Sequence, residues 1–325
     1  MQASDTLAMT GPLTARLAAV EARFNDELHS DLAVVNELAG HVARYRGKML
    51  RPMLTLLCGQ AVGELSDAHT TVATVVEMVH MATLVHDDVL DEADLRRRGV
   101  TVNRLRGNEA AVMLGDYLIS HSYHLCSSLD DQYAARVIAR TTNQVCEGEL
   151  LQLSNRNNLQ LDEETYVTII SRKTGSLIAA SCLLGAHFAG ADEAMSKRLE
   201  KFGLSLGIAF QIQDDILDLT GTTGEAGKTL GIDVQKCKLT LPIIHFLQSA
   251  PAEHRELCRS LLTSGEHNAV ERIRNLIAPS DSIAYARGRA QRLVERAKGS
   301  LSDLASSDAR RALEQMADFV LDRRH

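Results

Sequence analysis

Residues 71–99 read TVATVVEMVHMATLVHDDVLDEADLRRRG. From Thr71 to Val85 the stretch is apolar on almost every helical turn and carries neither glycine nor proline, which is the pattern of a buried helix. It then delivers Asp87, Asp88 and Asp91 at spacing i, i+1, i+4, followed by Arg96, Arg97 and Arg98. On a helix the i and i+4 positions share one face and i+1 is rotated by about 100°. Like charges at that spacing destabilise a helix, and negative charge near its C-terminus opposes the helix dipole. Such a triplet is either a helix end solvated by water or a place where metal and a polyanion meet.

The pattern recurs. FGLSLGIAFQIQDDILD, residues 202–218, again runs from an apolar helical stretch into Asp214, Asp215 and Asp218 at the same spacing. One solvated triplet is unremarkable, but two in matching contexts favour the metal reading. Oxygen-only ligands suit a hard cation such as Mg2+, which keeps several waters and shares its remaining positions with substrate phosphates.

Outward from these segments the chain reads as helical. Five prolines, no tryptophan and 4% aromatic residues lean away from sheet, and no block of alternating β-branched residues bounded by hairpin turns is found. Apolar stripes predict helices over 13–29, 31–45, 50–63, 68–95, 108–129, 131–153, 163–172, 175–189, 192–219, 240–249, 252–263, 267–277, 281–302 and 306–323. Asp67 and Asp192 are the expected N-caps of two of them. No linker or composition shift divides the 325 residues, so a single all-α domain is expected, with residues 1–12 as a flexible tail. The longest irregular stretch, GTTGEAGKTLGIDVQKCK at 221–238, has four glycines and three lysines and reads as a candidate lid.

Composition excludes several classes. The net charge of −7 gives no basic footprint for nucleic acid. Six scattered cysteines without a CxxC pair argue against structural zinc or a disulfide framework and for a reducing, cytoplasmic setting. No run of about 18 uncharged apolar residues suggests a membrane span. Anion binding must therefore be local. Lys48 and Arg51 flank a helix start in YRGKMLRP, Arg96 and Arg97 follow the first triplet, Lys173 and Thr174 interrupt the helical IISRKTGSLIAA, and Lys228 and Lys238 bracket the lid stretch. Taken singly each is an ordinary surface charge; beside paired carboxylates they describe a site for metal and more than one phosphate group.

These residues resemble the trans-isoprenyl diphosphate synthases, or polyprenyl synthetases. GKMLRP, EMVHMATLVHDDVLDEADLRRRG, GNEAAVMLGDYL, CEGELLQL, RKTGSL, FQIQDDILDLTG, GKTLGIDV and KLTLP occur in the family's order. The likeness is greatest to the bacterial enzymes that make octaprenyl or nonaprenyl chains for quinones. It implies an antiparallel helical barrel around a central cavity, a homodimer, and the two aspartate motifs facing each other across its mouth. It further implies that Asp87, Asp88, Asp91, Asp214, Asp215 and Asp218 hold three Mg2+ ions on an allylic diphosphate. Arg96, Lys173, Thr174, Gln211, Lys228 and Lys238 would contact that diphosphate, and Lys48, Arg51, His80 and Arg97 would hold isopentenyl diphosphate.

In the family the product grows along the helix of the first motif, and residues one to two turns before the motif form the floor. Here these are Thr83, Ala82 and Val79, four, five and eight residues before Asp87. None is aromatic, and Ala82 lies about 7.5 Å below Asp87 along the helix, so a long-chain product is expected. Met78, Met113, Leu118, Tyr123 and Leu150 are candidate deeper walls. One departure is Cys237-Lys238 where the family has Gly-Lys, a Cβ where the backbone needs unusual torsions. The alternatives are a shorter-chain farnesyl or geranylgeranyl synthase, a subunit of a heteromeric synthase, and a terpene cyclase, which would have no use for an isopentenyl diphosphate pocket.

Overall fold

The computed structural model describes residues 13–43, 47–96, 99–221, 231–266 and 268–322. The expected tail at 1–12 and most of the expected lid stretch, 222–230, lie outside them. The described residues are all-α apart from two strands of two residues. The helices are α1 Thr14–Glu27, α2 Ala33–Ala43, α3 Leu50–Val62, α4 Asp67–Leu90, α5 Val102–Ser127, α6 Tyr133–Ser154, α7 Glu163–Ile170, α8 Ser176–Phe188, α9 Glu193–Thr220, α10 Ile232–Gln235, α11 Leu241–Ser249, α12 Ala252–Thr263, α13 Ala269–Ile277, α14 Ser282–Gly299 and α15 Asp308–Asp322. A single π-helical turn, Ser171–Gly175, joins α7 to α8.

The departures from the sequence pattern have local causes. Helix α4 stops at Leu90 instead of 95, because Glu92 takes the left-handed conformation at φ 48°. The Glu92 N–H then reaches the Val89 carbonyl at 3.2 Å and the Ala93 N–H reaches the Asp88 carbonyl at 2.9 Å. That bond pair is the Schellman motif, which ends a helix by capping its last carbonyls. The chain so released forms a tight hairpin, β1 Leu95–Arg96 against β2 Gly99–Val100, with Arg96 opposite Gly99. Two-residue strands are too short to leave a periodic signal. Helix α5 begins at Val102, but Gly107 at φ 85°, ψ 165° breaks it, so regular helix resumes at the expected residue 108. Short helix α10 falls in the stretch read as irregular.

The caps divide. Asp192 is the N-cap of α9 as expected, its Oδ1 accepting the Met195 N–H at 2.7 Å. Asp67 is not a cap: Ser66 holds that position, and the Ser66 N–H donates to His69 Nδ1 at 3.0 Å. A histidine here takes the role that Glu or Gln fills in a capping box, which is why the sequence pattern missed it.

The chain forms two compact units. The first comprises residues up to Thr142, Leu177–Gly203 and Asp303–Leu313; the second comprises Asn143–Ser176, Leu204–Ser302 and the residues from Glu314. The core of the first is built on α4, buried without interruption from His69 to Val79, with Val72, Val75, Val76, Val79 and Ala82 packed among Leu114 and Leu118 of α5. In the second, Ile212 and Ile216 of α9 share a core with Tyr166 and Ile169 of α7, Ile243 and Phe246 of α11 and Ile273 of α13. One stretch, Glu163–Phe188, is long and apolar enough to cross a membrane by composition, but 67% of its most apolar window is buried inside the protein. It also contains the π turn with Arg172 and Lys173, so it reads as a core helix pair.

Candidate active site

Each aspartate triplet occupies the last turns of a long buried helix. In the first unit, α4 brings Asp87 and Asp88 to its end and Asp91 is its C-cap. Asp88 is 1% exposed. The hairpin folds Arg96 back onto it, Nε donating to Asp88 Oδ1 at 2.8 Å and a terminal nitrogen approaching the same oxygen at 2.7 Å. Both contacts fall on one oxygen. Oδ2 is buried and has no hydrogen-bond partner. Burial, only partly opposed by Arg96 and reinforced by Asp87 and Asp91, pushes the Asp88 carboxyl up to about 6. A carboxylate kept dry beside two others, with one oxygen unused, is under tension that a cation would relieve.

Along the C-terminal part of α4 the half-buried residues are His80, Thr83, Leu84, His86, Asp87 and Val89, followed by the C-cap Asp91; His80, Thr83, Leu84, Asp87 and Asp91 among them fall on a stripe at i, i+3, i+4, i+7 and i+11. Thr83 Oγ1 is turned back to the His80 carbonyl at 2.7 Å. The two other expected floor residues, Val79 and Ala82, are fully buried in the core and lie off this stripe. Among the expected deeper walls Met78 and Leu118 are also fully buried, whereas Met113 and Leu150 are each 65% exposed. Lys48 is exposed and Arg51 half-buried at the start of α3, where Met49 takes φ 51° as the helix is entered. Arg97 lies outside the described residues.

In the second unit Asp214, Asp215 and Asp218 lie on α9. Asp214 is half-buried, while Asp215 and Asp218 are buried. Both Asp215 oxygens are engaged: Tyr166 OH donates to Oδ2 at 2.7 Å and Gln211 Nε2 donates to Oδ1 at 2.8 Å. The other end of the Gln211 amide, Oε1, accepts the Thr174 hydroxyl at 2.9 Å. Burial raises Asp215 to about 7, with Asp233 adding to the rise and Lys238, Tyr166 and Gln211 opposing it. Asp218 accepts the Gly231 N–H at 3.1 Å and the Asp233 N–H at 3.4 Å, which ties the entry of α10 to α9. Lys238 Nζ lies 3.1 Å from Asp233 Oδ1. Lys228 lies outside the described residues.

Lys173 and Thr174 sit on the π turn, a distortion that redirects side chains and is frequent at functional sites. Helix α6 approaches this turn so closely that a Cβ on Gly148 would lie 2.7 Å from the Lys173 backbone nitrogen. The next residue, Glu149, pairs with the Lys173 ammonium and accepts Gln152 Nε2 at 3.0 Å. Cys237, the family departure, has φ 48° and is buried; its N–H reaches the Val234 carbonyl at 3.0 Å and the Lys238 N–H reaches the Asp233 carbonyl at 2.8 Å. It thus occupies the left-handed position of a second Schellman motif, where glycine carries no Cβ penalty.

Three residues absent from the sequence expectations belong to this description: Tyr166, Glu149 and Asp233. A tyrosine in an apolar helical stripe gives no signal of a carboxylate 49 positions away; the GEL of CEGELLQL was the available hint for Glu149. Among the described residues no group of three or more His, Cys, Asp or Glu side chains is gathered into a protein-only metal cage.

Residues 33–278 match the polyprenyl synthetase family profile. The chain is 34% identical to the octaprenyl diphosphate synthase of Escherichia coli over 313 residues, 96% of this chain and 97% of the relative. It is 36% identical to the geranyl-diphosphate-specific all-trans-nonaprenyl-diphosphate synthase of Rhodobacter capsulatus, over 96% of each chain. The crystal structure of polyprenyl synthase from Caulobacter crescentus, complexed with calcium and isoprenyl diphosphate, superposes with a TM-score of 0.94 at 34% identity over 98% of each chain. The chain belongs to the polyprenyl synthetase family, whose members are prenyltransferases with the all-α isoprenoid synthase fold.

Proposed function

We propose that this protein condenses isopentenyl diphosphate successively onto an allylic diphosphate such as farnesyl diphosphate, giving a long-chain all-trans polyprenyl diphosphate of octaprenyl or nonaprenyl length for a quinone side chain. The observation that carries the reading is the pair of aspartate triplets, each at the end of a long buried helix and each in contact with, or close to, a cationic side chain. That placement costs stability and is hard to account for without a bound cation and polyanion.

The donor set fits Mg2+. All six candidate ligands, Asp87, Asp88, Asp91, Asp214, Asp215 and Asp218, offer oxygen, and Asp88 Oδ2 is a buried acceptor with no partner. Among the described residues these carboxylates do not gather into a protein-only cage, so a cation held by them would keep waters and take the rest of its shell from substrate phosphates. Three ions would serve the allylic diphosphate, and when bound they supply positive charge for the diphosphate as it departs. The chain's own residues do the remaining work. Arg96, Lys173, Lys228 and Lys238 bind and neutralise the allylic diphosphate; Lys48, Arg51, His80 and Arg97 orient isopentenyl diphosphate for attack by its double bond on the allylic cation. Thr174 and Gln211 present dipoles near that cation, and apolar helix walls exclude the water that would quench it. A homodimer in the cytoplasm is part of the proposal, supported by six cysteines that are all free thiols and by the exposed Leu105, Val112 and Met113 of α5.

Incubation of the purified chain alone with farnesyl diphosphate, isopentenyl diphosphate and Mg2+ tests the reading. Elongated diphosphates are expected. A hydrocarbon or alcohol from farnesyl diphosphate would instead indicate a cyclase, and no elongation without a second protein would indicate a subunit of a heteromeric synthase.

A further inference from the structure

Tyr166 has no place in the scheme above, yet it is 3% exposed and spends its hydroxyl on a buried carboxylate. We infer that Tyr166 is a positioning residue for ionisation of the allylic substrate: it fixes the hydrogen-bond polarity of the chain Tyr166, Asp215, Gln211, Thr174, and so fixes which end of the Thr174 hydroxyl dipole faces the reaction. The inference rests on the prenyl-elongation reading.

With Asp215 ionised, the form that would hold a cation, the polarity follows from counting donors and acceptors. Asp215 accepts at both oxygens, from Tyr166 at 2.7 Å and from Gln211 at 2.8 Å. The Gln211 amide is thereby oriented with its NH2 toward Asp215 and its carbonyl toward Thr174; the reverse would set two acceptors against each other. That carbonyl takes the single proton of the Thr174 hydroxyl at 2.9 Å. Thr174 is left with only lone pairs to offer elsewhere. An oxygen with its proton turned away presents the negative end of its dipole, which favours a neighbouring allylic cation and requires no reorientation as charge develops. Without the Tyr166 hydroxyl, Asp215 keeps a buried oxygen with no donor, and the pressure for it to compete for other protons loosens the orientation downstream.

The alternative is that Tyr166 merely fills space in the core of the second unit, which it shares with Ile212 and Leu241. Tyr166→Phe separates the two, because it keeps the ring and removes only the hydroxyl. The expected result is a fall in kcat for elongation of about tenfold, with KM for the allylic substrate within about twofold. Binding of inorganic diphosphate with Mg2+, read by calorimetry, should be unchanged, as should the thermal unfolding midpoint to within a few degrees. Thr174→Val should cost kcat similarly, and the double variant should lose little more than either single one. Unchanged kcat in Tyr166→Phe, additive losses in the double variant, or a parallel loss of kcat and diphosphate affinity would each overturn the inference while leaving the elongation reading intact. A wild-type protein that does not elongate would overturn both.

Discussion

Asp88→Asn should make the metal-free protein more stable and the enzyme inactive. Asp88 is 1% exposed, takes both Arg96 contacts on Oδ1 and leaves Oδ2 buried without a partner. A buried polar atom left unsatisfied costs about 1–3 kcal/mol. The carboxyl is pushed from 3.8 to about 6, and that rise amounts to about 3 kcal/mol of penalty on the ionised form. Asparagine keeps the shape and one acceptor for Arg96, but it forfeits the ion pair and buries an amide nitrogen, so a net gain of about 1–2 kcal/mol is expected. In this window the folded state binds the proton more tightly than the unfolded chain, so wild-type stability falls as pH rises from about 4 to about 6. The advantage of Asp88→Asn should therefore be full above about pH 6 and vanish below about pH 3, where the wild-type carboxyl is neutral in both states. Denaturant titration of both proteins with chelator present, at a pH above and a pH below this window, reads the difference. An asparagine variant less stable than wild type at neutral pH, or a gain that does not change with pH, would refute the idea that this carboxylate is held under tension.

His69 predicts the opposite slope. Burial lowers its pKa while Nδ1 accepts from Ser66 and Nε2 lies 3.1 Å from the Gly185 carbonyl, so stability is lost as pH falls below about 6.5 toward the lowered value; urea midpoints should show a slope there that His69→Gln removes. Glu92→Gly should stabilise by about 0.5–1 kcal/mol, since Glu92 is exposed at φ 48° and glycine removes the left-handed penalty. The same change at Cys237 should net close to zero, because a buried thiol is lost along with the strain; thermal unfolding measures both. Thr83→Phe should shorten the polyprenyl product with little loss of stability, because Thr83 is on the half-buried stripe. Ala82→Phe, placed in a filled core, should also cost about 1–3 kcal/mol; chromatography of products and a melt of each variant distinguish them.

Much of this was legible in the sequence because it is local. The apolar runs before Asp87 and Asp214 mark α4 and α9; the expected interruption at Lys173 and Thr174 is not a break but a π turn inside a continuous helical run. The glycine expected at 237 is a backbone requirement, and the structure meets it with a strained cysteine. What stayed hidden depends on contacts between distant residues or on the least common residue for a role. His69 closes a capping box usually closed by Glu, and Glu92 ends α4 in a conformation usually given to glycine. Tyr166 is indistinguishable from a core aromatic until its hydroxyl is found on Asp215. The fully buried Val79 and Ala82 show the same limit, since helical spacing places residues on a face without saying which face is open.

The central claim is that this one chain builds a polyprenyl diphosphate by repeated addition of isopentenyl diphosphate. Mass spectrometry of the intact diphosphate products, after incubation of the purified protein with farnesyl diphosphate, isotopically labelled isopentenyl diphosphate and Mg2+, tests it directly. The account predicts a ladder of diphosphates separated by single labelled isoprene units and accumulating at octaprenyl or nonaprenyl length, abolished by chelator. Farnesyl diphosphate recovered unextended, or converted to a product carrying no label, would contradict it.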